Sequence, residues 1–113
     1  AWLSANYPQA AIVALTDALK GQRYDPDIYM ERAAAFLATD RWSEGVDDLN
    51  TALEKNPTDA EALSLRARAH LATENYRAAR TDMEAAMSYD PENIDILVLR
   101  GQIREAIRLS ELK

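Results

Sequence analysis

Sliding the sequence against itself by 34 residues brings it into register, and this period constrains the fold more than any other feature. Pro57 and Pro91 are one period apart. Arg32, Arg66 and Arg100 coincide, each followed by a small residue, Ala33, Ala67 or Gly101. The same offset superposes Asp25, Asp59 and Asn93, then Tyr29, Leu63 and Leu97, then Leu3, Leu37 and Leu71. It also aligns Ala11, Gly45 and Ala79; Leu15, Leu49 and Met83; and Ala18, Ala52 and Ala86. A period of this length marks a supersecondary unit that cannot bury its apolar face alone and is stable only when stacked on its neighbours.

Inside each period the apolar spacing is helical. Ile28, Tyr29, Ala33, Phe36 and Leu37 recur at intervals of three and four, as do Val46, Leu49, Ala52 and Leu53. Asp25 before Pro26 predicts a helix start, because a short acidic side chain caps free N–H groups and proline suits the first turn. Thr58 to Glu61 repeats that logic and offers a capping box, and Asn93 stands in the same place before Ile94. Pro57 and Pro91 follow helices they cannot continue. Ala38 to Trp42 carries Thr, Asp and Arg, a short polar turn. The unit is a helix–turn–helix, and the fold class is all-α.

Composition agrees and excludes several chemistries. Alanine is about a fifth of the chain and glycine is scarce, which favours helix. There is no cysteine and one histidine, so disulfides, thiolate sites and multi-histidine metal sites are ruled out. Lys and Arg number 13 against 19 Asp and Glu, a net charge of −6 that argues against nucleic acid as partner. No apolar run approaches the ~20 residues of a membrane span, and no metal or cofactor is expected. Ser4, Ser43, Ser64, Ser88 and Ser110 have no histidine at motif spacing, and no enzyme activity is expected. The preference for Arg over Lys, with the alanine bias, points to a GC-rich bacterial coding sequence.

At this point the sequence resembles the tetratricopeptide repeat family. Its pattern of large, small and aromatic residues on a first helix matches Tyr29, Ala33 and Phe36. The second-helix pattern matches Trp42, Gly45, Leu49, Ala52 and the closing Pro57. Leu63, Ala67, Tyr76, Ala79, Met83, Ala86 and Pro91 match the next unit. The sequence departs at His70, where an aromatic or apolar residue is usual, at Arg23 in place of a closing proline, and at Pro8 where an aromatic opens the second helix. The resemblance implies an α-α superhelix, a right-handed solenoid of antiparallel helix pairs. One domain, 1–113, would comprise a trailing half repeat (1–25), full repeats at 26–59 and 60–93, and at 94–113 the first helix of a further repeat or a cap. Trp2 aligns with Phe36, so the chain is expected to begin inside a helix, as a slice of a longer array.

Arg32 and Arg66 stand 16 residues before Asp48 and Asp82. The repeat geometry implied by the resemblance places these positions face to face, so structural ion pairs Arg32–Asp48 and Arg66–Asp82 are expected, since partly buried guanidiniums need partners. Arg100 has no equivalent aspartate ahead of it. The resemblance also implies a concave groove lined by first helices. By position it comprises Asp27, Met30, Ala34, Leu37 and Ala38, then Glu61, Ser64, Arg68, Leu71 and Ala72, extended by Asp95, Val98, Gln102 and Glu105. Leu37 and Leu71 serve equally as core. Arg68 would meet a carboxylate or a carbonyl. One subtype of the family clamps the C-terminal carboxylates of chaperone tails; the matching positions hold Met30, Ala34, Leu65, Asp95 and Leu99, so that clamp is absent. Asp27, Glu61 and Asp95 form an acidic column that either steers a basic partner or simply complements helix dipoles. His70, Trp42 and Tyr76 are expected to pack between helices.

The expected function is a non-enzymatic interaction scaffold that binds a partner peptide or helix in the groove. The alternatives are homo-oligomerisation through 94–112, whose Ile96, Leu99, Ile103, Ala106 and Ile107 are more apolar than a solvated cap needs, and the targeting domain of a larger enzyme. The compartment is open between cytoplasm and, after export and processing, periplasm.

Overall fold

The computed structural model describes residues 7–20 and 25–112; the expectations for Trp2, Leu3, Ser4 and Arg23 fall outside them. The described residues form six α-helices and no strand: α1 Pro8–Lys20, α2 Pro26–Ala38, α3 Trp42–Lys55, α4 Ala60–Ala72, α5 Tyr76–Tyr89 and α6 Ile94–Glu111. The chain divides between Pro57 and Thr58 into two compact units, with three of the described helices in each.

In the first unit α2 packs on both α1 and α3. Ala11, Ile12, Ala35 and Phe36 form a buried cluster with Leu15 against it, and Ala33, Leu49, Ala52 and Leu53 are buried as well. The small residues let helix axes approach while the large ones fill the gap. In the second unit α4 and α5 pair in the same way, and α6 packs on both. Leu63, Met83, Ile96, Leu99 and Ile103 are its large buried residues, set among Ala62, Ala67, Ala79 and Ala86. Of the apolar residues expected on the last helix, three therefore seal the core, while Ala106 and Ile107 remain half-buried.

Helix ends repeat with the period. Asp25 Oδ1 accepts from the Asp27 N–H at 3.0 Å ahead of Pro26. Asp59 Oδ1 accepts from Glu61 and Ala62, and Asn93 Oδ1 from Asp95 and Ile96. The cap of α4 is thus Asp59 itself and not a Thr58–Glu61 box, because the aspartate, adjacent to the first turn, reaches two N–H groups at once. At the other ends, Thr39 and Thr73 hydroxyls donate back to carbonyls of their own helices. The next residues, Asp40 and Glu74, turn left-handed at φ 61° and 64°. Arg41 and Asn75 N–H groups then reach back to Phe36 and His70 carbonyls at 2.9 and 2.8 Å. A left-handed residue followed by a bond closing on the last turn is the usual way to satisfy terminal carbonyls.

Candidate functional site

Each helix hairpin is held by a buried fork. Arg32 Nε and Nη2 donate to Asp48 Oδ2 and Oδ1 at 2.8 and 2.7 Å, and Nη1 reaches Thr16 Oγ1 on α1 at 3.2 Å. Arg66 makes the matching bonds to Asp82, both at 2.8 Å. Asp48 and Asp82 are the buried charged residues of the described chain, at 5% and 7% exposure. Bidentate geometry at both ends satisfies carboxylates that would otherwise be costly to bury. The hydrogen bonds each arginine donates to its aspartate raise the arginine's pKa above an already strongly basic value, against an opposing effect of burial. These guanidiniums are permanently charged and fully committed, so they fix α2 on α3 and α4 on α5 and are not available to a ligand.

Around the forks the hairpins differ. The Arg32 guanidinium lies 5.5 Å from the centre of the Phe36 ring, and Arg41 lies over the same ring at 4.7 Å. Arg41 in turn chelates Glu44 at 2.7 and 2.8 Å. In the second hairpin His70 replaces the phenylalanine, half-buried, with Nε2 3.7 Å from Asp82 Oδ2. Trp42 and Tyr76 are half-buried where α3 and α5 begin.

The face expected to bind a partner is open in the second unit. A cleft of about 560 Å³ runs between α4 and α6. Glu61, Ser64, Leu65 and Arg68 line it from α4, Asp90 and Asn93 from the turn, and Asp95, Val98, Leu99 and Gln102 from α6. Asn93 Nδ2 donates to Asp90 Oδ2 at 3.0 Å while capping α6, so that end of the cleft is braced. Arg68 is exposed and makes no ion pair or side-chain hydrogen bond among the described residues, and Val98 is 54% exposed. The lining thus offers three carboxylates, one uncommitted guanidinium and an apolar strip of Leu65, Val98 and Leu99.

Six residues expected on this face by position, Glu61, Ser64, Arg68, Asp95, Val98 and Gln102, line the cleft. Leu71 is half-buried, and neither it nor Ala72 is among the lining residues. In the first unit Met30 is buried, Ala34 is half-buried, and Asp27 and Ala38 are exposed. Leu37 turns toward α3, its Cδ2 2.7 Å from where a Cβ on Gly45 would lie, so it packs the hairpin. Asp90 and Asn93 were not anticipated as lining; they fall in the turn before α6, outside any helix-face pattern. Asp27, Glu61 and Asp95 each sit in a first helical turn, where the dipole favours acids. Among the described residues no cluster of His, Asp or Glu could hold a metal, and no helix is long and apolar enough to cross a membrane.

The tetratricopeptide repeat model matches residues 3–69, more than half the chain, and a second such model matches 60–93. The chain belongs to the tetratricopeptide repeat family. No curated protein sequence matches it. Among solved structures it is similar to the first tetratricopeptide domain of human RPAP3, with a TM-score of 0.89 at 22% identity, covering 99% of this chain and 88% of that one. The second such domain of human RPAP3, in complex with the HSP70 peptide SGPTIEEVD, gives 0.83 at 18%, covering 91% and 86%. The TPR2B domain of yeast Sti1 in its pHsp70 complex gives 0.80 at 25%, covering 96% and 89%. The all-α repeat fold of this tetratricopeptide chain is thereby established. Its period of 34 residues appears as matched caps, left-handed turns and arginine–aspartate forks.

Proposed function

We propose that this chain is a protein-interaction module, with 26–59 and 60–93 as its full repeats, that takes an extended partner peptide in the cleft between α4 and α6. The observation carrying this reading is an uncommitted Arg68 beside exposed Val98 in an open cleft, in a protein whose Arg32 and Arg66 are locked in forks. Two of the similar structures hold chaperone peptides, which supports the use of such a surface for peptides. The occupant here differs in chemistry. Leu65, Asp95 and Leu99 stand where chaperone-tail receptors carry a carboxylate clamp, and Glu61, Asp90 and Asp95 make the rim acidic. A peptide placing an apolar side chain on Val98 and Leu99, a lysine or arginine toward the acidic rim, and a backbone carbonyl on Arg68 complements the apolar strip, the carboxylates and the guanidinium of the lining.

Fluorescence anisotropy with two labelled peptides tests this: one of alternating apolar and lysine residues, one ending in EEVD. The lysine peptide is expected to bind at least tenfold more tightly, more so at low salt. Arg68→Ala and Val98→Asp should weaken it, whereas Arg77→Ala at an exposed position of α5 should not. Tighter binding of the EEVD peptide, or indifference to both cleft substitutions, would refute the assignment.

A second reading rests on a separate observation. Ile94, Leu97 and Leu109 on α6 and Leu112 just after it are 74%, 38%, 48% and 72% exposed, an apolar edge suited to self-association. Light scattering over a concentration series should then reveal a dimer that Leu97→Glu/Leu109→Glu dissolves; a monomer at every concentration removes this reading.

A further inference from the structure

The turn that lines the α4/α6 cleft carries its acid and its amide in the opposite order from its period-mate. Asn56 and Asp59 stand one period before Asp90 and Asn93, each pair flanking a proline, Pro57 or Pro91. The backbones correspond. Asn56 and Asp90 each follow a helix, with N–H groups bonded to the Ala52 and Ala86 carbonyls at 3.0 Å, and the caps Asp59 and Asn93 have φ of −73° and −72°. At Asp59 the carboxylate is spent on the N–H groups of Glu61 and Ala62. At Asn93 a neutral amide serves as the cap, and the carboxylate has moved to Asp90, which is exposed and lines the cleft. The exchange leaves net charge alone and transfers one acid from a helix end to the cleft.

Asn93 also orients that acid. Its Oδ1 accepts two backbone N–H groups, which fixes the amide, so Nδ2 is the atom that donates to Asp90 Oδ2 at 3.0 Å. Among the described residues Asp90 makes no ion pair, and its Oδ1 accepts no hydrogen bond. The carboxylate is held at one oxygen and open at the other. Asp48 and Asp82 show what a guanidinium fork takes, which is both oxygens at once. A carboxylate with one oxygen engaged suits a single-point donor, the ammonium of lysine, better than a fork.

We propose, resting on peptide binding in the α4/α6 cleft, that Asp90 is the cleft's specificity-determining residue and Asn93 its positioning residue. Together they select a lysine over an arginine in the partner peptide. Glu61 and Asp95, exposed in the first turns of α4 and α6, attract either cation and do not discriminate between them.

The test is a fluorescence anisotropy titration of the 113-residue chain with an apolar peptide carrying one central lysine, and with the same peptide carrying arginine or acetyl-lysine there. The lysine peptide should bind about tenfold more tightly than the acetyl-lysine peptide and about fivefold more tightly than the arginine peptide. Asn93→Ser keeps a capping oxygen but loses the amide donor, so it should bring arginine level with lysine and leave acetyl-lysine unchanged. The exchange Asp90→Asn/Asn93→Asp rebuilds the Asn56/Asp59 turn at constant net charge. It should cut the advantage of lysine over acetyl-lysine to about threefold or less, with the acetyl-lysine peptide bound as before. Urea unfolding checks that both variants fold. Equal binding of lysine and arginine by the unaltered chain, a lysine advantage that survives the exchange, or equal weakening of all three peptides by either variant would overturn the proposal and leave the cleft standing. Binding of none of the peptides would overturn peptide binding in the cleft, and this proposal with it.

Discussion

The hairpins α2/α3 and α4/α5 share a backbone plan and a fork but not a surface. In both, an arginine and an aspartate 16 residues apart join the helices with nearly identical bond lengths. In the first, Phe36 lies beneath two guanidiniums, Met30 is buried and Leu37 packs over Gly45. In the second, His70 takes the place of the ring, Arg68 is exposed, and a cleft opens toward α6. A repeat therefore fixes the positions that hold helices together and leaves the outward positions free to vary. Function has to be sought where the period-mates disagree.

The sharpest way to break this comparison is at positions 36 and 70. Phe36→Ala removes a buried ring from the cluster of Ala11, Ile12 and Ala35 and should cost about 3–4 kcal/mol. His70→Ala, at a half-buried site, should cost about 1 kcal/mol, measured by urea unfolding. Equal costs would show that the units are interchangeable after all. Next come the forks. Asp48→Ala and Asp82→Ala each strand a partly buried guanidinium, and each should lose about 3 kcal/mol. Replacing both members of a pair, as in Arg66→Met with Asp82→Leu, should restore most of that loss. A smaller effect of opposite sign is expected at glycine: Gly101→Ala should stabilise by about 0.5–1 kcal/mol, because helix propensity improves and the new methyl meets open space. At Gly45 the same change forces Leu37 aside and should forfeit that gain.

The smallest effect is that of pH. Hydrogen bonds from Arg41 and Arg108 hold Glu44 and Glu105 below their ordinary value of 4.5. A lowered carboxylate contributes stability above its unfolded value and loses it as pH falls through the folded one. Both pairs are exposed, so the melting temperature should decline only modestly below about pH 4.5. The raised arginines contribute throughout neutral pH and lose their contribution only under strongly alkaline conditions. Between pH 6 and 9 the melting temperature should therefore vary little on account of these groups.

Much of the fold was legible because the period superposes residues under identical constraints. Asp25, Asp59 and Asn93 mark helix starts through cap chemistry alone, and the arginine–aspartate spacing follows once the helices are antiparallel. The left-handed turns at Asp40 and Glu74 were less legible, since glutamate carries no preference for that conformation. The cleft was legible only in part. Helix-face positions give Arg68, Val98 and Gln102, but Asp90 and Asn93 reach it from a turn, and Leu37 leaves its face because Gly45 opposite has no side chain. Those outcomes depend on which neighbour is small, a pairwise property that a single-helix pattern does not carry.

The most direct test of the central claim is an amide NMR titration of the whole chain with the apolar, lysine-bearing peptide. The account expects saturating shifts at Ser64, Arg68, Val98 and Gln102, with Asp27, Ala34 and Ala38 of the first unit unmoved. Shifts centred on those first-unit residues, or none at millimolar peptide, would contradict it.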